Sequence, residues 1–191
     1  MFIRILKDRH MIHYARHGES VANRDKYFAG RIDSPLTERG RLQAAMIGQE
    51  IVGRAIQTQL LVSSPMSRAL ESTKIVAGVI GYPLQAIEID ERLTEYDFGD
   101  LTGQPKEGVD HARFYAANGR EPANALWNRV VGAWNDYCER NRETLIIGHS
   151  FVGLMIECLD KNGDFERFNE MPTDPNNNGV IVSYESSAIF T

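Results

Sequence analysis

Apolar and polar positions along this chain switch between two periods, and the switches mark where strands give way to helices. The apolar run Met11–Ala15 reads as a short buried strand that stops at Arg16-His17-Gly18-Glu19-Ser20. Gly30, Asp33 and Pro35 break the next segment into a loop. Thr37 is placed to cap a helix over about residues 38–56, where Leu42, Ala45, Met46, Gln49, Val52 and Ile56 recur at spacings of three and four and predict one mainly apolar face. Leu60–Ser64 is a second strand. Pro65 suits the opening turn of a helix, since a proline there loses no needed donor, and that helix runs to about Ile80. Gly81-Tyr82-Pro83 turns the chain into a third strand, Leu84–Ile89.

Residues 90–120 carry Gly99, Gly103, Pro105 and Gly108 and read as irregular, with a helix near 109–117. A longer helix spans Ala123 to about Arg140, with Leu126, Val130, Trp134 and Tyr137 as its core stripe. Thr144–Gly148 is a fourth strand ending at His149-Ser150, and the helix after it carries Phe151, Leu154, Met155 and Leu159. The Asn-, Asp- and Pro-rich stretch 162–178 reads as a surface loop. Val180–Tyr184 alternates as a strand does, with Ala188–Phe190 as its partner through a turn at Glu185–Ser187. Strands alternating with helices need crossovers, so the expected fold is α/β: a three-layer α/β/α sandwich with a mostly parallel central sheet. One domain is expected over residues 1–191, with 1–10 an extension or extra edge strand and about 96–140 a lid-like insert. In such sheets ligands bind outside the carboxyl ends of the strands. Arg16-His17, Ser63-Ser64 with Arg68, and His149 all fall at such ends, on three different strands.

Composition narrows the classes. At 191 residues, the chain suits one domain able to bury a full core. It is 42% hydrophobic, but no stretch approaches the roughly 20 apolar residues of a membrane span. The opening MFIRILKDRH has no apolar core and does not read as a signal peptide. Cys138 and Cys158 form no metal motif and read as unpaired thiols in a reducing, cytoplasmic setting. A net charge of −5 argues against a general nucleic-acid binder, while leaving room for a small cationic pocket.

The strand ends would gather His17, His149, Arg16 and Arg68, with Glu95 arriving from the loop after the third strand. Two histidines alone could hold a metal, but two arginines beside them would repel it. The same set suits an oxyanion, because the planar fork of arginine donors matches phosphate. A neutral imidazole can attack phosphorus, which divides one hard step into two easier ones. A nearby carboxylic acid can protonate the leaving oxygen, and the arginines act where charge resides on the transferring group.

Four blocks of sequence carry a family resemblance. They are Arg16-His17-Gly18-Glu19-Ser20 with Asn23, Phe28-Ala29-Gly30, Asp33 and Leu36-Thr37-Glu38-Arg39-Gly40; Ser63-Ser64-Pro65-Met66-Ser67-Arg68-Ala69; Leu93-Thr94-Glu95 with Phe98-Gly99 and Gly103; and Ile146-Ile147-Gly148-His149. In this order they resemble the histidine phosphatase superfamily, phosphoglycerate mutase-like branch, over roughly residues 11–155. The resemblance implies that His17 is the nucleophile and phosphoryl carrier, and that Arg16, Arg68 and His149 hold the phosphoryl oxygens. It implies further that Asn23 is another substrate contact and Glu95 the proton donor; Asp97 and Asp100 lie close to Glu95 in sequence, and either is an alternative donor if the loop is shifted. Gly18 would let the backbone approach the phosphate, and Glu19 and Ser20 would brace the loop. The family uses no metal and no organic cofactor for this step. Ser150 stands where many relatives have glycine, and is expected to cap the next helix or crowd the pocket. His10, His13 and His111 match no block and read as ordinary strand or surface residues.

Three activities fit these residues: a phosphomonoesterase, a phosphoglycerate mutase, and a non-catalytic phosphoryl-binding regulator. Mutases resemble one another in a Ser or Thr where this chain has Ala29, a His-Tyr pair where it has Asp97-Phe98, and an arginine pair in a long insert. Here only 53 residues separate Glu95 from His149 and no Arg-Arg occurs among them. Lys106 does fall where mutases place a lysine. The expected function is a metal-independent phosphomonoesterase acting through phosphohistidine on a small phosphorylated substrate, with Arg113, Arg120 and Arg129 as candidate contacts.

Overall fold

A computed structural model describes residues 10–160 and 181–185. The core is a five-stranded sheet in the order β3-β2-β4-β1-β5. Its strands are β1 (Met11–Arg16), β2 (Leu60–Ser63), β3 (Glu88–Ile89), β4 (Thr144–Gly148) and β5 (Ile181–Glu185). β1, β2, β3 and β4 run parallel, and β5 pairs antiparallel with β1 on the outer edge. Every residue of β2 and β4 is buried. Strands covered on both faces need no polar side, which is why these read as unbroken apolar runs.

Successive side chains of a strand point to opposite faces, and the two faces bury different helices. Ile12, Tyr14, Leu60, Val62 and Ile146 pack with α5 (Ala123–Arg140) and α6 (Ser150–Asp160). Ala15, Leu61, Leu145 and Ile147 pack with α2 (Glu38–Gly53) and α3 (Ser67–Ile80). This is the expected three-layer α/β/α arrangement. The register pairs Arg16 with Gly148 and Ser63 with Ile147, so His17, Ser64 and His149 emerge side by side at the carboxyl edge.

Several elements depart from expectation. The apolar face predicted for α2 is not the buried one: Leu42, Met46 and Val52 are 67%, 62% and 59% exposed, while Gly40, Ala44, Ile47, Gly48 and Ile51 face inward. The helix carries two stripes at helical spacing, and the one rich in small residues meets α3. A Cβ at Gly48 would lie 2.6 Å from the Cβ of Val79, so close helix approach selects that face. The third strand is two residues long instead of six, because β2 offers it only Val62 and Ser63 as partners, and Leu84–Ala86 forms a 3₁₀ turn. α3 begins at Ser67, two residues past Pro65.

The loop after His17 contains an unforeseen turn of helix, α1 (Val21–Arg24), where Ser20 and Asn23 form a reciprocal capping box. A further short helix, α4 (His111–Ala116), is capped by Asp110 within the expected 109–117 region. The expected strand Val180–Tyr184 is found at Ile181–Glu185. The proposed loop 162–178, the strand Ala188–Phe190 and all but the last residue of 1–10 lie outside the described residues.

At Gly18 the structure shows a steric requirement that the sequence reading did not include. A Cβ there would stand 2.0 Å from the carbonyl oxygen of Gly40, and a Cβ at Gly40 would stand 2.0 Å from that of Glu19. The two glycines let the loop after β1 cross the first turn of α2 in contact.

Candidate active site

His17 is the first residue beyond β1 and is 1% exposed. Its Nδ1 lies 2.6 Å from the carbonyl oxygen of Gly18, which can only accept, so Nδ1 carries the ring proton. Arg68 Nε donates to His17 Nε2 at 3.2 Å, so Nε2 is the nitrogen with the lone pair. Burial, then the charges of Arg68 and Arg16, hold the His17 pKa well below the ordinary histidine value and keep the ring neutral. A buried, neutral imidazole with its lone pair at a defined atom is suited to nucleophilic attack.

Arg68, 2% exposed on the first turn of α3, also ties down the loop that roofs the site. Its Nη2 donates to Gly30 O at 2.8 Å and its Nη1 to Ile32 O at 3.1 Å. His149, immediately after β4, is fully buried beneath the site, with its ring edge-on to His17 at a centroid distance of 5.1 Å. His149 Nε2 lies 2.8 Å from Ser64 Oγ, while Nδ1 is buried with no hydrogen-bond partner. Burial, Arg68, His17 and Arg16 hold its pKa well below the usual value. Tyr14 donates to the His149 carbonyl at 2.5 Å and fills the space over Gly148 and Gly153, where any Cβ would collide with its ring.

Glu95 is 5% exposed, and its Oε1 accepts from the amides of Tyr96 at 2.8 Å and Phe151 at 3.2 Å. Burial raises its pKa, opposed by the Tyr96 amide and the charges of Arg68 and Arg16. The carboxyl therefore keeps its proton to higher pH than an exposed glutamate. Its main chain is gripped from two sides. Arg31 Nε and Arg129 Nη2 reach Glu95 O at 3.3 and 3.4 Å. Glu121 holds Arg129 in a two-pronged pair at 2.7 and 2.9 Å and Arg31 at 3.3 Å.

Arg16, His17, Asn23, Arg68 and Glu95 line one cleft, together with Lys106, Ser150 and a wall of Tyr27, Phe28, Ala29, Phe98 and Phe151. Asn23 Oδ1 accepts from the backbone and hydroxyl of Ser20, leaving its NH₂ group for the cleft. Ser150 is the first residue of α6 and borders the cleft. Glu19 takes the Thr37 hydroxyl at 2.8 Å and so does brace the loop, as Ser20 does through its cap. Asp97 instead accepts from Gly99 N at 2.9 Å, Asp100 is exposed, and neither lines the cleft.

The candidate contacts Arg113, Arg120 and Arg129 do not line it either. Arg113 reaches Gly108 O, Arg120 is bound to Ala117 O, Tyr115 O and Tyr96 Oη, and Arg129 belongs to the Glu95 clamp. Arg113 and Arg120 donate to backbone carbonyls within residues 96–140, and Arg129 to those of Arg92 and Glu95 just before them. His13 has a structural place between Glu143 and Ser183. Among the described residues no group of three His, Cys, Asp or Glu could hold a metal ion, and no helix is long and apolar enough to cross a membrane.

Sequence reasoning missed Arg31, Glu121 and Tyr14. Tyr14 left a trace, a hydroxyl inside a buried strand. Arg31 and Glu121 left none, since they act on a residue more than 20 positions away.

Residues 12–189 match a family model described as the histidine phosphatase superfamily, branch 1. A 2,3-bisphosphoglycerate-dependent phosphoglycerate mutase of Parvibaculum lavamentivorans is 37% identical over 92 residues, 48% of this chain and 44% of that protein. The chain thus spans about half the length of the first curated relatives it matches. A protein of Yersinia pestis named "Probable phosphoglycerate mutase GpmB" is 31% identical over 78% of this chain and 72% of its own length. Among solved structures, Bacillus stearothermophilus YhfR is 26% identical with a TM-score of 0.76, covering 91% of this chain and 89% of that one. A mycobacterial glucosyl-3-phosphoglycerate phosphatase shares the fold at 20% identity and a TM-score of 0.77, over 91% and 92% of the two chains.

Proposed function

The chain belongs to the histidine phosphatase superfamily, and on that premise we propose that it is a metal-independent phosphomonoesterase acting through phosphohistidine at His17 on a small phosphorylated substrate. The observation that carries this reading is the fixed tautomer of His17. Gly18 O takes the Nδ1 proton, and the Nε2 lone pair is aimed at the Arg68 guanidinium, where a phosphoryl group would be held.

In the first step Nε2 attacks phosphorus while the bond to the ester oxygen breaks, and Glu95 delivers its proton to that oxygen. Arg16, Arg68, Asn23 and the unpartnered Nδ1 of His149 hold the three equatorial oxygens. For Nδ1 to donate, Nε2 of His149 must accept the Ser64 hydroxyl proton. Ser64 Oγ can do this while accepting from Met66 N at 3.4 Å. In the second step ionised Glu95 takes a proton from water, the water oxygen attacks phosphorus, and the N–P bond breaks to release inorganic phosphate and neutral His17. Charge stabilisation falls to guanidinium and imidazole groups, so no metal is needed.

The mutase reading has the names of the curated relatives and Lys106 at the cleft in its favour. Against it, the cleft wall presents Ala29 and Phe98, which offer neither hydroxyl nor imidazole to a second acidic group. The deciding experiment is rapid quench with a labelled aryl phosphate in EDTA. An acid-labile, base-stable adduct on His17, loss of turnover in His17→Ala, and overall retention at phosphorus are expected. Inversion, or turnover that persists in His17→Ala, would mean direct attack by water and refute the mechanism.

A further inference from the structure

The phosphoryl pocket shares a wall with a second cleft. Tyr27, Phe28 and Ala29 border both, and the second cleft, about 290 Å³, is completed by Val21, Ala22, Ile32 and Pro35 with Gly103. Tyr27 is 40% exposed and Ile32 52% exposed. Isolated apolar residues at a surface are ordinary, but these two flank one depression whose wall of Tyr27, Phe28 and Ala29 also borders the cleft that holds His17.

Its charged rim is of one sign. Asp25 and Asp33 border it, Asp25 paired with the neighbouring Arg24 and Asp33 accepting from Ser67, and no lysine or arginine lines it. A carboxylate or second phosphate placed there would meet two acids and no cation in the lining, Arg24 being already paired with Asp25, whereas a flat apolar ring would cover Tyr27 and Ile32 and displace water from them. The backbone supports the opening. A Cβ at Gly103 would have only the Ile32 methyl in range, at 3.7 Å, so the glycine leaves that side free.

Resting on the phosphomonoesterase reading, we propose that this cleft is the leaving-group subsite, and that the substrates are monophosphate esters of neutral alcohols or phenols carrying an aromatic or heteroaromatic ring. The phosphoryl end is held by Arg16, Arg68 and His149, and the ring lies against Tyr27 and Ile32. Esters whose alcohol bears a further anionic group are poor substrates.

The test compares phenyl, 2-naphthyl and 4-carboxyphenyl phosphates, whose phenols differ little in acidity, so differences in kcat/KM report on fit. The 2-naphthyl ester is expected to exceed the phenyl ester by roughly 10-fold, the effect of burying one more ring's apolar surface, with the 4-carboxyphenyl ester below both. Ile32 is half exposed, so Ile32→Asp should fold, and it should lower kcat/KM for the naphthyl ester about 10-fold more than for the phenyl ester. A 4-carboxyphenyl ester that matches the naphthyl one, or an Ile32→Asp loss equal on all three, would overturn the subsite while leaving the phosphatase reading intact. Absence of both turnover and phosphohistidine with every ester would instead refute the phosphatase reading, and the subsite with it.

Discussion

Replacing Glu95 by Gln removes a proton and little else. The glutamine carbonyl can still accept from the amides of Tyr96 and Phe151, which now hold Oε1 at 2.8 and 3.2 Å, and the clamp on the Glu95 main chain is untouched. Cleft shape should therefore survive, and any loss is chemical. General acid catalysis typically contributes about 10²–10⁴-fold, so an alkyl phosphate, whose alkoxide leaves poorly, should lose that much in kcat/KM. An activated nitrophenyl ester needs little protonation and should lose less than about tenfold. The ratio kcat/KM is the right measure, because it stops at formation of phosphohistidine and excludes the water step, in which Glu95 is used whatever the ester. The pH profile supplies a second reading. Burial raises the Glu95 pKa, so the acid form persists to higher pH than for an ordinary carboxyl, and alkyl-ester turnover should fall as pH rises through that raised value. That alkaline limb should vanish in Glu95→Gln. Equal losses on both esters, or an unchanged limb, would refute the assignment and move the test to Asp97→Asn.

Glu121→Gln should weaken the grip of Arg129 and Arg31 on the Glu95 carbonyl, and so lower alkyl-ester kcat/KM about tenfold with a smaller effect on nitrophenyl ester, since small displacements of a catalytic group are costly; losses equal on both esters would show a general structural effect instead. Stability should fall on acidification. His17 and His149 are held neutral when folded but titrate near 6.5 when unfolded, so below that pH the unfolded chain binds more protons, at up to about 1.4 kcal/mol per pH unit for each ring. The raised pKa of Glu95 acts oppositely, adding stability as pH falls toward the ordinary glutamate value of 4.5. Urea melts at several pH values check the sign, and His149→Gln should flatten the slope.

What the sequence made legible follows from which groups act locally. Strand β4 is buried on both faces, so Leu145, Ile146 and Ile147 announce it without any neighbour's help, and the polar residue that ends such a run must lie at the carboxyl edge. That is why His17, Ser64 and His149 could be placed together although β1, β2 and β4 are far apart in sequence. α2 shows the opposite case. Its apolar count favoured Leu42, Met46 and Val52, but the face that is buried carries Ala44 and Gly48, and the smallness of Gly48 matters only once Val79 of α3 lies against it. A hydrophobic pattern measures what a face would gain by burial and not how closely a partner can approach. The site divides along the same line. The groups proposed to hold phosphate recur in short strings next to strand ends. The groups that fix their geometry are chosen by three-dimensional neighbours: Arg31 and Glu121 on Glu95 carry no local mark, and Tyr14 on the carbonyl of His149 shows only as a hydroxyl inside a buried strand. Gly18 belongs with them. Its place in the string suggests a role toward phosphate, but the atom a side chain would strike is the Gly40 carbonyl. The first block is therefore built in part to let the loop after His17 cross α2 in contact. Substitutions at Gly18 or Gly40 should displace His17 together with its loop.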